Sequence, residues 1–231
     1  MEQYLHILEK LPLFSGISHA DIVPLCRQFG CHTARYGRGE FLWMRGERVK
    51  EAGIVLSGSV QAEQNSADGT QHVVARHSAG ALFGDVLMSS QMQRSPVDIV
   101  ACEETLALFL PLENMMRNFS GGTEAAQVRF RLNLLGEIAD KYWVLYRRMA
   151  YLTEPTLRGR LSRYLFDLRA EQGSDTVKLS CTREALSAIL GVNRSAMCRE
   201  LGRMQREGLI GISRRSVTLC DPERLKLLAE Q

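Results

Sequence analysis

Residues 182–210 read TREALSAILGVNRSAMCRELGRMQREGLI, and their spacing decides how the C-terminal third of the chain folds. Thr182 is a good N-cap for a short helix over 183–190, and Glu184 stands in its first turn, where a carboxylate complements the helix dipole. Gly191-Val192-Asn193 makes a tight turn that ends in a second cap, Asn193. A helix over 194–207 follows, with Met197, Leu201 and Met204 on its inner face and Gly208 at its end. At about 100° per residue this leaves Ser195, Arg199, Gly202 and Arg206 outward, flanked by Cys198 and Arg203, with Arg194 at the start. Such a basic face, short of acids, suits a major groove, where arginine reads guanine O6 and N7.

The flanking sequence agrees. Segments 209–212 and 217–220 can pair as a hairpin whose tip, Ser213-Arg214-Arg215-Ser216, offers two arginines to phosphates. Upstream, Leu157, Leu161, Leu165 and Leu168 make an amphipathic helix closed near Gly173, and a brief strand over 177–179 leads back to Thr182. Residues 155–231 carry 14 Lys+Arg against 9 Asp+Glu, whereas residues 1–154 carry 15 against 17. The positive charge therefore sits in the part that carries the groove-reading pattern, which points to a polyanion partner.

Glu154-Pro155 ends a long helix over 123–153, because the residue before proline resists the α region. In that helix Val128, Leu135, Tyr142 and Met149 are spaced by seven, and Ile138, Leu145 and Leu152 stand three beyond the last three of them. This is a heptad stripe broken only where Arg131 takes an apolar place. It predicts a two-helix seam, most simply between two copies of the chain. The alternative is that the same stripe packs on the chain's own N-terminal domain.

Before that helix the texture is different. The first thirty residues read as short helices, the second capped by Ser18 and apolar at Ile22, Leu25 and Cys26. From about 31 to 111 short apolar alternations are separated by glycines, with Ile54, Leu56 and Val60 on one face. Asp68-Gly69 is a hairpin turn signal between strands at 60–64 and 71–75, and further strands are expected at 97–101 and 106–110. Strands this short predict a small antiparallel barrel or sandwich.

At 231 residues and 26.0 kDa the chain has room for two modest domains, and 45% hydrophobic content excludes wholesale disorder. No apolar run approaches the roughly 20 residues of a membrane span, and the N-terminus has no signal-peptide pattern, so a cytoplasmic protein is expected. The six cysteines match no zinc or ferredoxin spacing; Cys26 and Cys31 are the candidate redox pair. Five histidines lack metal spacing, and on a regular strand His72 and His77 would point to opposite faces. No metal site is expected.

The segment from Thr182 to Ile210 resembles the winged helix-turn-helix of the CRP/FNR transcription regulators. The resemblance extends upstream through Gly53-Ile-Val-Leu-Ser-Gly58, Asp68-Gly69 and Gly80-Ala-Leu-Phe-Gly84-Asp85, which fall where that family's cyclic-nucleotide-binding-like barrel has its glycine turns. It implies an α+β fold: an antiparallel jelly-roll barrel over 1–122, a dimerisation helix and hinge over 123–154, and a winged helix-turn-helix domain over 155–231. The implied function is a homodimeric, sequence-specific DNA-binding regulator that is not an enzyme. Its partners would be a palindromic operator in double-stranded DNA, a small effector and, for an activator, RNA polymerase. By the resemblance Arg194, Ser195 and Arg199 hold the base-reading positions, Ser195 replacing a frequent glutamate. Thr182, Arg203, Arg214 and Arg215 complete the expected DNA contacts.

The resemblance also implies an effector site at Gly84, Asp85, Arg94 and Ser95, where a guanidinium, a hydroxyl and glycine-rich amides would cradle an anion. Here the sequence departs from the cyclic-AMP pattern. Asp85 replaces glutamate, Leu87 replaces a second glycine, the Asp85 to Arg94 interval is nine, and Pro96 removes an amide. An Asp85–Arg94 ion pair in a differently used pocket is the competing expectation. A cyclic-AMP-responsive regulator, a haem sensor using a histidine such as His77, a redox sensor, and a barrel enzyme with an appended interaction domain stand as alternatives.

Overall fold

The structure, a computed structural model, describes residues 4–65, 71–85 and 94–229, which form two compact units, 1–140 and 141–231. Helices α1 (Leu5–Leu8) and α2 (His19–Gln28) lead, among the described residues, into eight strands: β1 (His32–Tyr36), β2 (Phe41–Trp43), β3 (Glu51–Ser57), β4 (Ser59–Asn65), β5 (Gln71–Ser78), β6 (Leu82–Phe83), β7 (Asp98–Ala101) and β8 (Thr105–Pro111). They form two antiparallel four-stranded sheets, ordered β1-β8-β3-β6 and β2-β7-β4-β5. The antiparallel jelly roll is as expected, and among the described residues no ladder joins its two sheets, so it stands as a sandwich.

Two glycines set the path. Gly58 separates β3 from β4 at φ +80°, and a Cβ there would lie 2.4 Å from the Glu104 carbonyl oxygen. The chain must leave one sheet for the other at this point, so Val60 belongs to a different sheet from Ile54 and Leu56. Gly53 makes room for an aromatic ring: a Cβ would stand 2.1 Å from Phe83 Cζ.

Strands β4 and β5 pair as expected, and the Asp68-Gly69 turn lies outside the described residues. One expectation about β5 is corrected. A bulge pairs Ala62 with Ala75 but Glu63 with Val73, so β5 carries an extra residue. His72 and His77 therefore oppose Gln64 and Val60, which are four apart and share a face. An odd separation across a bulge behaves as an even one.

Helix α3 (Leu112–Met116) precedes α4 (Glu124–Thr153), which runs 30 residues through both units. In the first unit Phe130 of α4 meets Phe14 and Phe29 edge-on, with centroids 5.5 and 5.2 Å away. Ala126 and Leu134 are buried beside it and Ile138 packs half-buried against the same core. Arg131 also turns inward, donating to the Met115 carbonyl at 2.8 Å and Asn118 at 2.9 Å.

The second unit contains α5 (Leu157–Gln172), β9 (Thr176–Lys178), α6 (Arg183–Ile189), α7 (Arg194–Arg206), β10 (Ile210–Ser213), β11 (Ser216–Leu219) and α8 (Pro222–Ala229). Its three strands order as β10-β11-β9, and its core gathers Leu161, Leu165, Leu186, Met197, Leu201, Met204 and Val217. Thr156 caps α5 by accepting the Gly159 amide at 2.9 Å, and Gly173 closes it at φ +61°. Tyr151, from the end of α4, packs 5.7 Å from Tyr164 and donates to Asp167 at 2.6 Å. Burial foremost, then the Asp167 carboxylate, pushes the Tyr151 phenol above its ordinary range, so it stays a donor.

Gly58→Ala forces a positive φ and a backbone clash together and should destabilise the first unit by about 1–3 kcal/mol. Gly136→Ala, where an added methyl meets open space on α4, should stabilise it by up to about 1 kcal/mol. Thermal melting of both variants checks the pair of opposite signs.

Candidate nucleic-acid interface and effector pocket

The helix pair over 182–206 is built by its caps. Thr182 Oγ1 accepts the Ala185 amide at 3.2 Å, and Asn193 Oδ1 accepts the Ser195 amide at 2.8 Å. Between them Gly191 turns at φ +63°, and a Cβ there would stand 2.5 Å from Leu152 Cδ2. Glycine is thus favoured by the turn itself, and any Cβ there would also displace the leucine tip lying against it. With Met197 and Met204 wholly buried and Leu201 at 3% exposure, α7 cannot rotate without exposing apolar surface.

Its outer face is as the periodicity predicts. Ser195, Arg199, Arg203 and Arg206 are exposed and Gly202 half-buried. Arg194 lies 3.9 Å from Glu184 in an open ion pair, and Arg203 is held by Glu200 at 3.3 Å. The guanidinium of Arg199 has no partner among the described residues, nor do those of Arg214 and Arg215. These two form the tip between Ser213 and Ser216, which pair directly. Arg214 stands at φ 45°, a left-handed conformation that strains a side chain with a Cβ.

Arg160 carries no signal in the sequence, because both its partners are backbone carbonyls and one of them lies 30 residues away. Its guanidinium donates to the Glu154 carbonyl at 2.9 Å and the Leu190 carbonyl at 3.0 Å. It thereby ties the end of α4 to the turn before α7.

The four expected effector residues are divided by the segment 86–93, which lies outside the described residues along with Leu87. Gly84 turns at φ +75° under Trp43, whose Cη2 would stand 2.9 Å from an added Cβ. Asp85 is buried. The turn after Trp43 meets the other half: the Gly46 amide donates to the Ser95 carbonyl at 2.7 Å, and the Ser95 amide to the Glu47 carbonyl at 2.9 Å. Arg94 is exposed, with one guanidinium nitrogen on the Gly46 carbonyl at 2.8 Å. The buried Ser95 hydroxyl is committed to the Val97 carbonyl at 2.5 Å.

A separate cavity of about 460 Å³ is lined by His32, Tyr36, Trp43, Lys50, Glu51 and Phe109 among others, and by none of those four residues. His77 is half-buried with its ring 6.0 Å from Phe83. The Cys31 thiol is half-buried, and the hydrogen bond with Cys26, foremost, and desolvation push its pKa above the ordinary thiol range. No group of three or more metal-ligating side chains occurs among the described residues, and no described helix is long and apolar enough to cross a membrane.

Comparison with known proteins decides the assignment. The cyclic nucleotide-binding domain family matches residues 33–120, and the Crp-like helix-turn-helix domain family matches residues 159–228. The chain belongs to the CRP/FNR family of transcription regulators. It is 21% identical to the cAMP-activated global transcriptional regulator Vfr of Pseudomonas aeruginosa, over 82% of this chain and 89% of that protein. It is 24% identical to the fumarate and nitrate reduction regulatory protein of Salmonella typhimurium, over 83% of this chain and 76% of that protein. The catabolite activator protein of Thermus thermophilus shares the fold at a TM-score of 0.52 and 21% identity, covering 95% of this chain and 98% of that one. The regulator binds DNA through its helix-turn-helix domain and is not an enzyme.

Asn193→Ala removes the cap of α7 and should cost about 1 kcal/mol in thermal or urea unfolding of the second unit. Arg214→Gly should leave the melting temperature equal or higher, because the strained φ is relieved, while removing one cation from the tip.

Proposed function

We propose that the regulator works in the cytoplasm as a homodimer that places two α7 helices in successive major grooves of a palindromic operator, under control of a small anionic effector. The observation that carries this reading is the unpaired Arg199 on the open face of a capped helix, backed by the two unpaired arginines of the hairpin tip. Arg194, Ser195 and Arg199 are assigned to base edges, and Thr182, Arg203, Arg214 and Arg215 to the sugar–phosphate backbone. Residues 1–122 would sense, 123–154 dimerise and transmit, and 155–231 bind DNA. Where the regulator activates, RNA polymerase is the further partner.

The dimer is supported by what α4 leaves open. Val128, Leu135, Tyr142, Leu145 and Met149 are each more than half exposed, and Leu152 is 41% exposed. Ile138 faces the chain's own core instead, and the open row runs through Leu132 and Tyr146, at 55% and 50% exposure. An apolar row this long is unfavourable in water, and a second α4 covers it by the same heptad geometry. Leu145→Glu should dissociate the dimer in analytical ultracentrifugation and abolish specific DNA binding together. A variant that stays fully dimeric places the seam elsewhere.

Gly84, Asp85, Arg94 and Ser95 are assigned to the effector, with the remaining Arg94 donors as the anion anchor. The commitment of the Ser95 hydroxyl to Val97 favours an anion other than a cyclic nucleotide. Calorimetry with cyclic AMP and with inorganic phosphate tests this, and Arg94→Ala should remove any anion response while the dimer persists.

Readout is tested by titrating a half-site library at two salt concentrations. Arg199→Ala should cost roughly 1–3 kcal/mol at the preferred site and relax one position in each half-site. Arg214→Ala or Arg215→Ala should weaken all sequences alike and lower the salt slope by about one. Uniform weakening by Arg199→Ala would mean that Arg199 contacts phosphate.

A further inference from the structure

Arg158 stands in the first turn of α5, two residues beyond the capping Thr156, and its guanidinium spans two acids on α7 and its C-terminal cap. Nε donates to Glu200 at 2.6 Å, and the two terminal nitrogens donate to both oxygens of Glu207 at 2.7 and 2.8 Å. Arg203 adds a bond to the other Glu200 oxygen at 3.3 Å. Glu200 is only 12% exposed. The Arg158 bond, foremost, holds the Glu207 carboxyl below its ordinary range.

Glu200 and Glu207 are seven residues apart, hence about two turns apart on one flank of the helix. A rigid fork gripping one flank at two levels opposes rotation about the helix axis as well as sliding along it. The apolar inner face resists rotation only softly, since Met197 and Met204 are unbranched and adaptable. The consequence falls on Arg199. A rotation of about 15° moves a side chain roughly 6 Å from the axis by about 1.5 Å, beyond what a base-edge hydrogen bond tolerates. The same fork neutralises Glu200, the acid next to Arg199, which would otherwise repel phosphates.

We propose that Arg158 is a positioning residue for base readout: through Glu200 and Glu207 it sets the rotation of α7 and determines specificity without touching DNA. The proposal rests on the reading of α7 as the groove-reading helix. The Arg158–Glu207 pair, at 26% and 38% exposure, is partly screened by water, so the effect expected is on discrimination more than on folding.

The test uses the full chain with Arg158→Ala, Arg158→Lys and Glu207→Gln. Each is measured by thermal melting, by amide hydrogen exchange over residues 200–209, and by selection from a random double-stranded DNA library at two salt concentrations. Arg158→Ala should keep affinity for unrelated DNA within twofold and keep the salt slope. Its preference at the position read by Arg199 should fall at least tenfold, with faster exchange over 200–209. Arg158→Lys retains the charge but not the fork and should not restore the preference; Glu207→Gln should lose less than Arg158→Ala. Unchanged preference with Arg158→Ala overturns the proposal. So does a parallel fall of all affinities with melting temperature, which marks a merely structural residue, or a salt slope lowered by about one, which marks a phosphate contact. If the wild type itself enriches no half-site, the DNA reading fails. The proposal is then judged on exchange alone, and unchanged protection over 200–209 overturns it.

Discussion

A single 30-residue helix, Glu124–Thr153, has to satisfy three apolar environments with one 3.6-residue period, and the rest of the structure follows from how it divides its surface. One stripe, through Ala126, Phe130, Leu134 and Ile138, closes the core of the β domain. Its last turns give Tyr151 to the core of the second unit and lay Leu152 against Gly191. A third row, from Val128 to Met149, is covered by neither. No residue can face two ways, so each environment received its own set of positions.

That division also fixes how the end of α4 is held within the second unit. The end of α4 is not a loose tether to the second unit. Arg160 ties the Glu154 carbonyl to the Leu190 carbonyl, and Glu154 itself, buried, pairs with Arg163 at 2.6 Å. Directional bonds therefore link the end of α4 to the turn that precedes α7.

Much of this was legible in the chain. The caps Thr182 and Asn193, the glycine turn and the inward methionines lie within a few residues of one another, so local rules suffice to read them. The strands at 60–64 and 71–75 were equally plain. The His72 and His77 relation was not, because a bulge is a property of two strands in register and cannot be seen in one. The open apolar row of α4 was half visible: the heptad spacing is in the sequence, but which flank of it meets the β core depends on where Phe14 and Phe29 lie.

The sequence by itself determined the order of the elements, the basic outward face of α7 and the family to which the chain belongs, because each depends on neighbours three, four or seven residues away. Only the tertiary structure decided which arginines are free. Arg158 and Arg199 look alike in the sequence, yet one is gripped by two carboxylates and the other has no partner among the described residues. It also showed that the Ser95 hydroxyl is committed to Val97, that Trp43 lies against Gly84, and that no ladder joins the two sheets of the jelly roll among the described residues. The physical reason is that a hydrogen bond or a van der Waals contact is decided by distance in space: the partners of Arg158 lie more than 40 residues away and leave no periodic trace in the sequence.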